Sequence, residues 1–470
     1  MNIDFANMMA EIIGDEHGII EKELDAIAHL TKQHARELKE ERQQGKLPFL
    51  DLPYQKETVE NIITTANSLK NQFKNFVVLG IGGSALGNIA LHCALNHPYH
   101  NAFSPAKRNY CPSIFVMDNI DPDRFKGFLD VINIEETVFN VISKSGATVE
   151  TMAQYLIIKD MLRQRVGERW VAHIIATTDG SKGVLREIAN REGLTSLVIP
   201  DGVGGRFSVL SPVGLLSAAV SGIDIEDILS GAAYMDKQCQ TDDIYKNPAL
   251  MNAVLQYISD KKKGKHITVM MSYAHALSSV GDWFCQLWAE SLGKKYDLTN
   301  NVVYAGSTPV KAVGVTDQHS QLQLYMEGPY DKVIIFLAIR KFAQTVTIPS
   351  PLMGEGKSEC EELGYIGGHT LNDLMEAEML GTQLALAENK RPNYTITLPE
   401  ITPFTIGQLL YMLELQTAYA GKLYNVNTFN QPGVETGKIN AFAILRRKGF
   451  EQRREEIEGR IKTEKYRIDV

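Results

Sequence analysis

The chain has 470 residues, 44% hydrophobic and 22% charged, with a formal net charge of −8. This length exceeds what one ordinary hydrophobic core organises, so two domains are expected, and the apolar fraction excludes a disordered chain. No stretch is long and apolar enough to span a bilayer. The negative balance also disfavours nucleic acid or an anionic membrane as a partner.

The cysteines are few and scattered. They form no C-x-x-C pair, which disfavours a disulfide framework or a zinc ribbon and fits a reducing compartment. The first 18 residues contain acids and lack the basic region and apolar run of a secretory signal. The sequence therefore predicts a cytoplasmic protein. The cysteines are Cys93, Cys111, Cys239, Cys285 and Cys360.

The first half of the chain begins with helices and continues with strands. Residues 1–70 are predicted to be helical, with apolar positions at helical spacing over 19–38 and a break at KEERQQGK; a second helix is predicted over 57–73. From residue 76, short apolar runs alternate with helical patterns. The predicted strands lie in FVVLGIGGS, SIFVMDN, TVFNVI, WVAHIIATTD and LTSLVIP.

The same alternation restarts after residue 260. HITVMMSYA, KVIIFLAI and TITLP are predicted strands, and helices are predicted over 277–291, 371–388 and 406–424. A polar, turn-rich segment at 222–245 separates the two halves. Apolar strands that alternate with helices indicate parallel sheets covered on both faces. The fold class is therefore α/β, with two doubly wound domains in tandem. The predicted divisions are a helical segment 1–70, domains 71–225 and 245–435, and a helical tail 436–470.

A glycine loop follows the first strand. Residues 80–85, GIGGSA, lie between a strand and a helix and fit G-x-G-x-x-[G/A]. Asp118 ends the next strand, but it lies 38 residues past Gly80, against about 20 in a dinucleotide-binding motif. A dinucleotide site, a loop that brings backbone N–H groups and Ser84 to a sugar or phosphate, and a tight turn without a ligand all stay open.

A second loop, 143–148, indicates a phosphate. It follows the strand TVFNVI, precedes a helix and offers three hydroxyl groups without a nearby acid. Backbone N–H groups at a helix N-terminus bind phosphate monoesters, whereas a plain N-cap needs one hydroxyl. The loop contains Ser143, Lys144, Ser145, Gly146, Ala147 and Thr148.

Four further features are compatible with acid–base chemistry. Gln286 and Glu290 share one helix face, although such a pair is more often a solvated face. Arg206 follows two glycines, which allow close approach of a ligand to a permanent charge. His319 lies in a polar cluster, and Lys438 follows Glu435 in what is usually a surface pair. None of these features identifies a site alone, and the histidines form no metal-ligand set.

Taken together and in order, these segments resemble the glucose-6-phosphate isomerase family. The resemblance covers about residues 76–438 and rests on GIGGS, SKSGATVET, GGRFSVLSPVG, the Q-x-x-x-E helix with ESLGK, and FNQPGVETGK; QHSQ joins them. It implies two sugar-isomerase (SIS) domains, a dimer and interconversion of glucose 6-phosphate and fructose 6-phosphate, in glycolysis and gluconeogenesis. It also implies that GIGGS faces the sugar phosphate, and that neither a cofactor nor a metal takes part.

The resemblance assigns a role to each matching residue. Glu290 is expected to be the base, Arg206 to lie near the reacting carbons, and His319 with Lys438 to open the sugar ring. Glu150 matches a residue that orients the histidine. Many eukaryotic members have Thr-Phe-Thr where this chain has Ser-Gly-Ala, so the N–H of Ala147 replaces a hydroxyl contact; they also have Trp at the position of Pro432. The expected substrate contacts are Gly83, Ser84, Ser143, Lys144, Ser145, Gly146, Ala147, Thr148, Gln286 and Gln431.

Partners follow from the same resemblance. A small hexose phosphate is expected, with no nucleic acid and no membrane, and in the expected homodimer His319 reaches the site of the other subunit. Three alternatives remain. They are an archaeal-type phosphoglucose/phosphomannose isomerase, a nicotinamide-dependent oxidoreductase built on GIGGSA, and a sugar-phosphate-binding regulator.

Overall fold

A computed structural model describes residues 1–350, 352–353, 357–358, 361–461, 468 and 470. Strands and helices alternate through most of this range. The strands are β1 (Asn2–Asp4), β2 (Asn75–Leu79), β3 (Ser113–Met117), β4 (Thr137–Ile142), β5 (Ile174–Thr178), β6 (Thr195–Val198), β7 (Ile267–Ser272), β8 (Lys294–Tyr296), β9 (Val302–Ala305), β10 (Thr308–Val313), β11 (Lys332–Ile339), β12 (Leu352–Met353), β13 (Lys357–Ser358) and β14 (Asn393–Leu398).

The α-helices cover the sheets and form both ends of the chain. They are α1 (Ala10–Ile13), α2 (Glu21–Gln43), α3 (Lys56–Lys70), α4 (Leu86–Leu95), α5 (Pro122–Val131), α6 (Val149–Val166), α7 (Val184–Glu192), α8 (Pro212–Val220), α9 (Ile225–Gln238), α10 (Pro248–Lys263), α11 (Ser278–Leu292), α12 (Leu322–Glu327), α13 (Leu371–Glu388), α14 (Pro403–Leu423), α15 (Glu435–Ile444) and α16 (Glu451–Ile461).

The first sheet is wholly parallel and has the order β3-β2-β4-β5-β6. The chain moves from β2 to β3 on one side and then returns to β4 on the other side of β2. This reversal opens a crevice at the carboxyl ends of β2 and β4, which is where ligands bind in doubly wound folds. Both loops singled out in the sequence, 80–85 and 143–148, follow these two strands.

The second sheet has the order β1-β14-β11-β7-β10, and its four strands other than β1 are parallel. β1 pairs antiparallel with β14, with Ile3 opposite Ile396. The two doubly wound parallel sheets expected from the sequence are therefore confirmed. The predicted domain limits stay predictions, although the N-terminal strand joins the second sheet and so departs from an all-helical segment 1–70.

Two further expectations about local structure are wrong. The helix predicted to break at KEERQQGK continues to Gln43, because Glu, Arg and Gln favour helices, and the chain turns at Gly45, where φ is +71°. The segment 222–245, predicted to be turn-rich, contains α9, which Asp224 caps by accepting a hydrogen bond from the N–H of Asp227.

A central buried helix, α14, ties the two halves together. Thr402 caps it and Pro403 occupies its first turn. Most of its residues are buried, and it packs mainly against α9 and α10. The chain that leaves α14 carries Thr428 to Gln431 back towards the carboxyl edge of the first sheet.

No helix in the described part of the chain combines the length and apolarity needed to cross a membrane. The described cysteines carry free thiols: Cys111 and Cys239 are buried, and Cys93 is exposed. Cys360 lies outside the described residues.

Candidate active site

The GIGGS loop after β2 and the GGRFS turn contact each other through their backbones. A Cβ atom on Gly83 would lie 2.2 Å from the carbonyl carbon of Gly205, so only a glycine fits at position 83. Gly82 lies beside α11, because a Cβ there would come within 2.8 Å of Nε2 of Gln286. The loop after β2 therefore packs between the GGRFS turn and α11.

Gln286 and Glu290 lie at this junction and do not form a solvated helix face. The Gln286 amide donates to Oε1 of Glu290 over 3.2 Å. The side-chain oxygen of Gln286, Oε1, is buried and has no hydrogen-bond partner in the described part of the chain, so it can accept a hydrogen bond from a ligand hydroxyl. The Glu290 side chain keeps 34% of its surface exposed, which leaves the carboxylate accessible.

Arg206 is only 4% exposed, and its guanidinium makes five hydrogen bonds to described residues. It donates to Oγ of Ser291 at 2.8 Å, to Oε2 of Glu290 at 3.3 Å and to Oε1 of Gln431 at 2.9 Å. It also donates to the carbonyls of Thr428 (2.6 Å) and Asn430 (3.2 Å).

These contacts exclude the alternative of a surface arginine and fix the guanidinium next to the Glu290 carboxylate. Burial lowers the pKa of Arg206, and the negative charge of Glu290 opposes this shift. A guanidinium stays charged throughout the accessible pH range.

The second loop wraps the N-terminus of α6. Oγ of Ser143 and Oγ1 of Thr148 are 3.0 Å apart, and the Ala147 N–H donates to Oγ of Ser145 over 3.2 Å. Thr148 precedes α6 without a capping hydrogen bond from its side chain, so within the described part of the chain the first N–H groups of this helix are free to meet an anion. The ammonium of Lys144 donates to the carbonyl of Val203 over 3.0 Å and thereby links this loop to the GGRFS turn.

The end of β5 and the start of α7 support the phosphate loop from behind. Oγ1 of Thr178 donates to the carbonyl of Ser143 over 2.7 Å. A Cβ on Gly146, where φ is +64°, would lie 2.2 Å from the backbone nitrogen of Leu185. The loop is therefore held from two sides, as a preformed anion site requires.

Three predicted residues do not join this cluster within one chain. His319 ends a short 3-10 helix, Thr316–His319, and is exposed. Lys438 is exposed on α15 and pairs with Glu435 over 2.8 Å. Glu150 is half-buried in the first turn of α6. Among the described residues, no hydrogen bond or ion pair joins any of the three to Glu290 or Arg206.

Sequence reasoning missed three residues around Arg206. Ser291 and Thr428 accept hydrogen bonds from its guanidinium, and the buried Lys294 binds the end of α11. The segment ESLGK contains both Ser291 and Lys294, and it is the signal that the sequence offers for these two residues. Their roles depend on contacts between the end of α11 and distant loops, which spacing does not reveal.

No group of three or more His, Cys, Asp or Glu side chains suited to a metal ion is found among the described residues. The geometry brings together a carboxylate, a guanidinium, an amide with a free acceptor and a loop of anion donors. Such a set binds a phosphorylated, hydroxyl-rich molecule and can move a proton on it.

Known proteins resemble this chain over most of its length. The family model described as phosphoglucose isomerase matches residues 55–460. A glucose-6-phosphate isomerase of Carboxydothermus hydrogenoformans is 45% identical over 458 residues, covering 97% of each chain. A probable glucose-6-phosphate isomerase of Methanococcus maripaludis is 37% identical over 447 residues, 95% of this chain and 94% of the relative.

Solved structures have the same fold. A hypothetical protein of Thermus thermophilus superimposes with a TM-score of 0.83 at 34% identity, over 94% of this chain and 99% of the other. A glucose-6-phosphate isomerase of Chlamydia trachomatis gives a TM-score of 0.71 at 24% identity, over 83% of this chain and 73% of the other. The latter similarity bears on the fold alone.

Proposed function

The chain belongs to the phosphoglucose isomerase family, and from that premise we propose that it interconverts glucose 6-phosphate and fructose 6-phosphate at the site described above. The observation that carries the proposal is the accessible Glu290 carboxylate, 3.3 Å from the buried guanidinium of Arg206 and beside two glycine loops. An aldose–ketose isomerisation through an enediolate uses a base of this kind beside a fixed positive charge.

The phosphate group binds to the loop 143–148 in this proposal. Ser143, Ser145 and Thr148 supply hydroxyls, and the free N–H groups of α6 supply the positive end of the helix dipole. Gly83 and Ser84 lie at the neighbouring strand end, next to the sugar. A phosphate held remotely from C1 and C2 supplies binding energy that aligns those carbons with the base.

Ring opening comes first, because hexose phosphates are mostly closed rings. A proton must reach the ring oxygen and another must leave the anomeric hydroxyl. We assign this general acid–base work to His319 and Lys438, with Glu150 as the carboxylate that orients the imidazole.

Proton transfer between C2 and C1 is assigned to Glu290. One carboxylate within reach of both carbons removes a proton from one and returns it to the other, through a cis-enediolate. Arg206 stabilises the oxygen that becomes negative, since its five hydrogen bonds hold the charge in place before the reaction. Gln286 and Gln431 orient the sugar hydroxyls.

His319 performs this role from the second subunit of a homodimer in our proposal. Two observations support it. His319 is exposed and, among the described residues, shares no hydrogen bond or ion pair with Glu290. The hairpin β8–β9 also exposes large side chains to solvent, which a subunit interface would bury. The exposed residues of the hairpin segment are Tyr296, Leu298, Val302 and Tyr304.

The free thiols of Cys93, Cys111, Cys239 and Cys285 support a cytoplasmic location.

The experiment is a coupled assay that follows fructose 6-phosphate through a glucose-6-phosphate dehydrogenase, with and without chelator. Activity that survives the chelator supports the metal-free reaction. Mannose 6-phosphate as the alternative substrate tests for a phosphoglucose/phosphomannose isomerase, and NAD without the coupling enzyme tests for an oxidoreductase. Absence of glucose 6-phosphate formation by the wild-type protein would overturn the proposed function.

A further inference from the structure

A buried lysine caps the C-terminal end of α11, the helix that carries Glu290. Lys294 is 7% exposed, and its ammonium donates to the main-chain carbonyls of Glu290 at 2.5 Å and of Ser291 at 2.9 Å. Carbonyls in the last turn of a helix have no partner inside the helix. Lys294 therefore supplies hydrogen bonds and a positive charge where the helix dipole is negative.

This cation is buried without a carboxylate partner. In the described part of the chain, no carboxylate oxygen lies within ion-pair distance of the Lys294 ammonium. Burying an unpaired charge opposes folding, and a neutral side chain of similar length would avoid that cost. The position of the charge therefore calls for an explanation beyond packing.

Lys294 and Arg206 bind the same two residues, Glu290 and Ser291. Arg206 binds the side chains of Glu290 and Ser291, whereas Lys294 binds the main-chain carbonyls of the same two residues. The dipeptide 290–291 is thus fixed between two buried cations. A shift in its backbone would move the carboxylate and loosen a hydrogen bond of the guanidinium at the same time.

We propose that Lys294 is a positioning residue for the isomerisation: its ammonium fixes the main chain of Glu290 and Ser291, and so keeps the carboxylate aligned with Arg206 and the substrate carbons. The inference rests on the proposed function, because it takes Glu290 as the base. Lys294 itself exchanges no proton with the substrate, and its contribution is to turnover rather than to substrate affinity.

The charge of the Lys294 ammonium is sensitive to mildly alkaline pH. Burial, together with the positive charge of Arg206, lowers the pKa of Lys294 to about 8, and the negative charge of Glu290 opposes the shift. Of the described residues, Arg206 from the GGRFS turn and Glu290 from α11 are the charged groups that act on Lys294. Above this pH the ammonium loses its proton and binds the helix carbonyls more weakly, so turnover should fall on the alkaline side.

The chain offers a matched control in Lys265. This lysine is 2% exposed, donates to the carbonyl of Tyr330 over 2.6 Å, and burial lowers its pKa to about 8 as well. Its other hydrogen-bonding partner is His17, and among the residues that the structure describes no hydrogen bond or ion pair joins it to the candidate site. Lys265→Met removes an equivalent buried charge away from the reaction.

The test compares Lys294→Met, Lys265→Met and wild type by steady-state kinetics between pH 6 and about 9.5. We expect Lys294→Met to lose about tenfold or more in kcat, with KM within about twofold of wild type. Lys265→Met should keep kcat within about twofold. The wild type and Lys265→Met should share an alkaline decline in kcat near pH 8, and Lys294→Met should lack it.

Several outcomes would overturn the inference. They are an unchanged kcat in Lys294→Met, a rise in KM with kcat preserved, or an alkaline decline that persists in this variant. If Lys294→Met does not fold, as judged by circular dichroism, the same comparison with Lys294→Gln decides: an alkaline decline in kcat near pH 8 that persists in Lys294→Gln, whose side chain does not titrate, refutes the role. A wild-type protein without isomerase activity would refute the proposed function instead, before any variant is measured.

Discussion

The close contact between the GIGGS loop and the GGRFS turn makes Gly83→Ala the sharpest structural test of the site. The added Cβ would lie 2.2 Å from the carbonyl carbon and 2.3 Å from the oxygen of Gly205. The closer contact is about 1.2 Å short of the 3.4 Å at which ordinary van der Waals contact begins. Both partners are backbone, so no side-chain rotation relieves the clash, and one loop must move by about that distance.

A movement of this size should be far more damaging to catalysis than to folding. Gly205 precedes Arg206, and a displacement of about 1 Å in a positioned group costs about 100-fold in rate, or about 2.7 kcal/mol in activation free energy. Overpacking itself should cost about 1–3 kcal/mol of stability. We therefore expect Gly83→Ala to fold, with a lower melting temperature and a kcat/KM reduced about 100-fold.

Gly204→Ala is the matched control in the same turn. Gly204 has φ −77° and ψ 155°, which any residue adopts, and a Cβ added there would meet no atom within 4 Å. Its kcat/KM in the coupled assay should stay within about twofold of wild type. If Gly83→Ala keeps kcat/KM within about threefold of wild type, the close contact between the loops does not position Arg206, and the reasoning fails.

Three further predictions concern the roles of single side chains and of metal ions. Ser145→Asp should raise KM far more than it lowers kcat, because a carboxylate in the loop repels a phosphate that is bound alike in ground and transition states; an unchanged KM would place the phosphate elsewhere. Chelator should leave the coupled assay unaffected, and activity that one divalent ion restores would contradict the metal-free mechanism. Co-expression of Glu290→Gln with His319→Asn should restore about a quarter of wild-type activity, because about half the dimers are mixed and each has one intact site; no recovery would mean that both residues come from one chain.

Much of the fold could be predicted because most strands are buried apolar runs that end in glycine or polar turns. The elements that were missed lack this pattern for physical reasons. β10 lies at the edge of its sheet and is mostly half-buried, so TPVKAV carries no apolar run. β1 has only three residues and gains its stability by pairing with β14 at the far end of the chain.

The candidate site could be predicted in its parts and only partly in its geometry. Motifs identified Glu290 and Arg206, but the acceptors of the guanidinium at Thr428 and Asn430 are main-chain carbonyls, which any residue provides. The role of Lys294 was hidden for the same reason. His319 is the opposite case, since its expected partner lies in another chain and contacts within one chain cannot test it.

The most direct test of the central claim is the isomerisation of glucose 6-phosphate in D₂O by the wild type and by Glu290→Gln, with the product analysed for deuterium by mass spectrometry and NMR. If a single carboxylate moves the proton through an enediolate, the wild type should form fructose 6-phosphate of which a part carries deuterium at C1, because exchange of the proton on the base with solvent competes with its direct return to the sugar. Glu290→Gln should still bind the sugar phosphate, yet form product at least about 1,000-fold more slowly. Near-normal product formation by Glu290→Gln, with or without deuterium, would contradict the account.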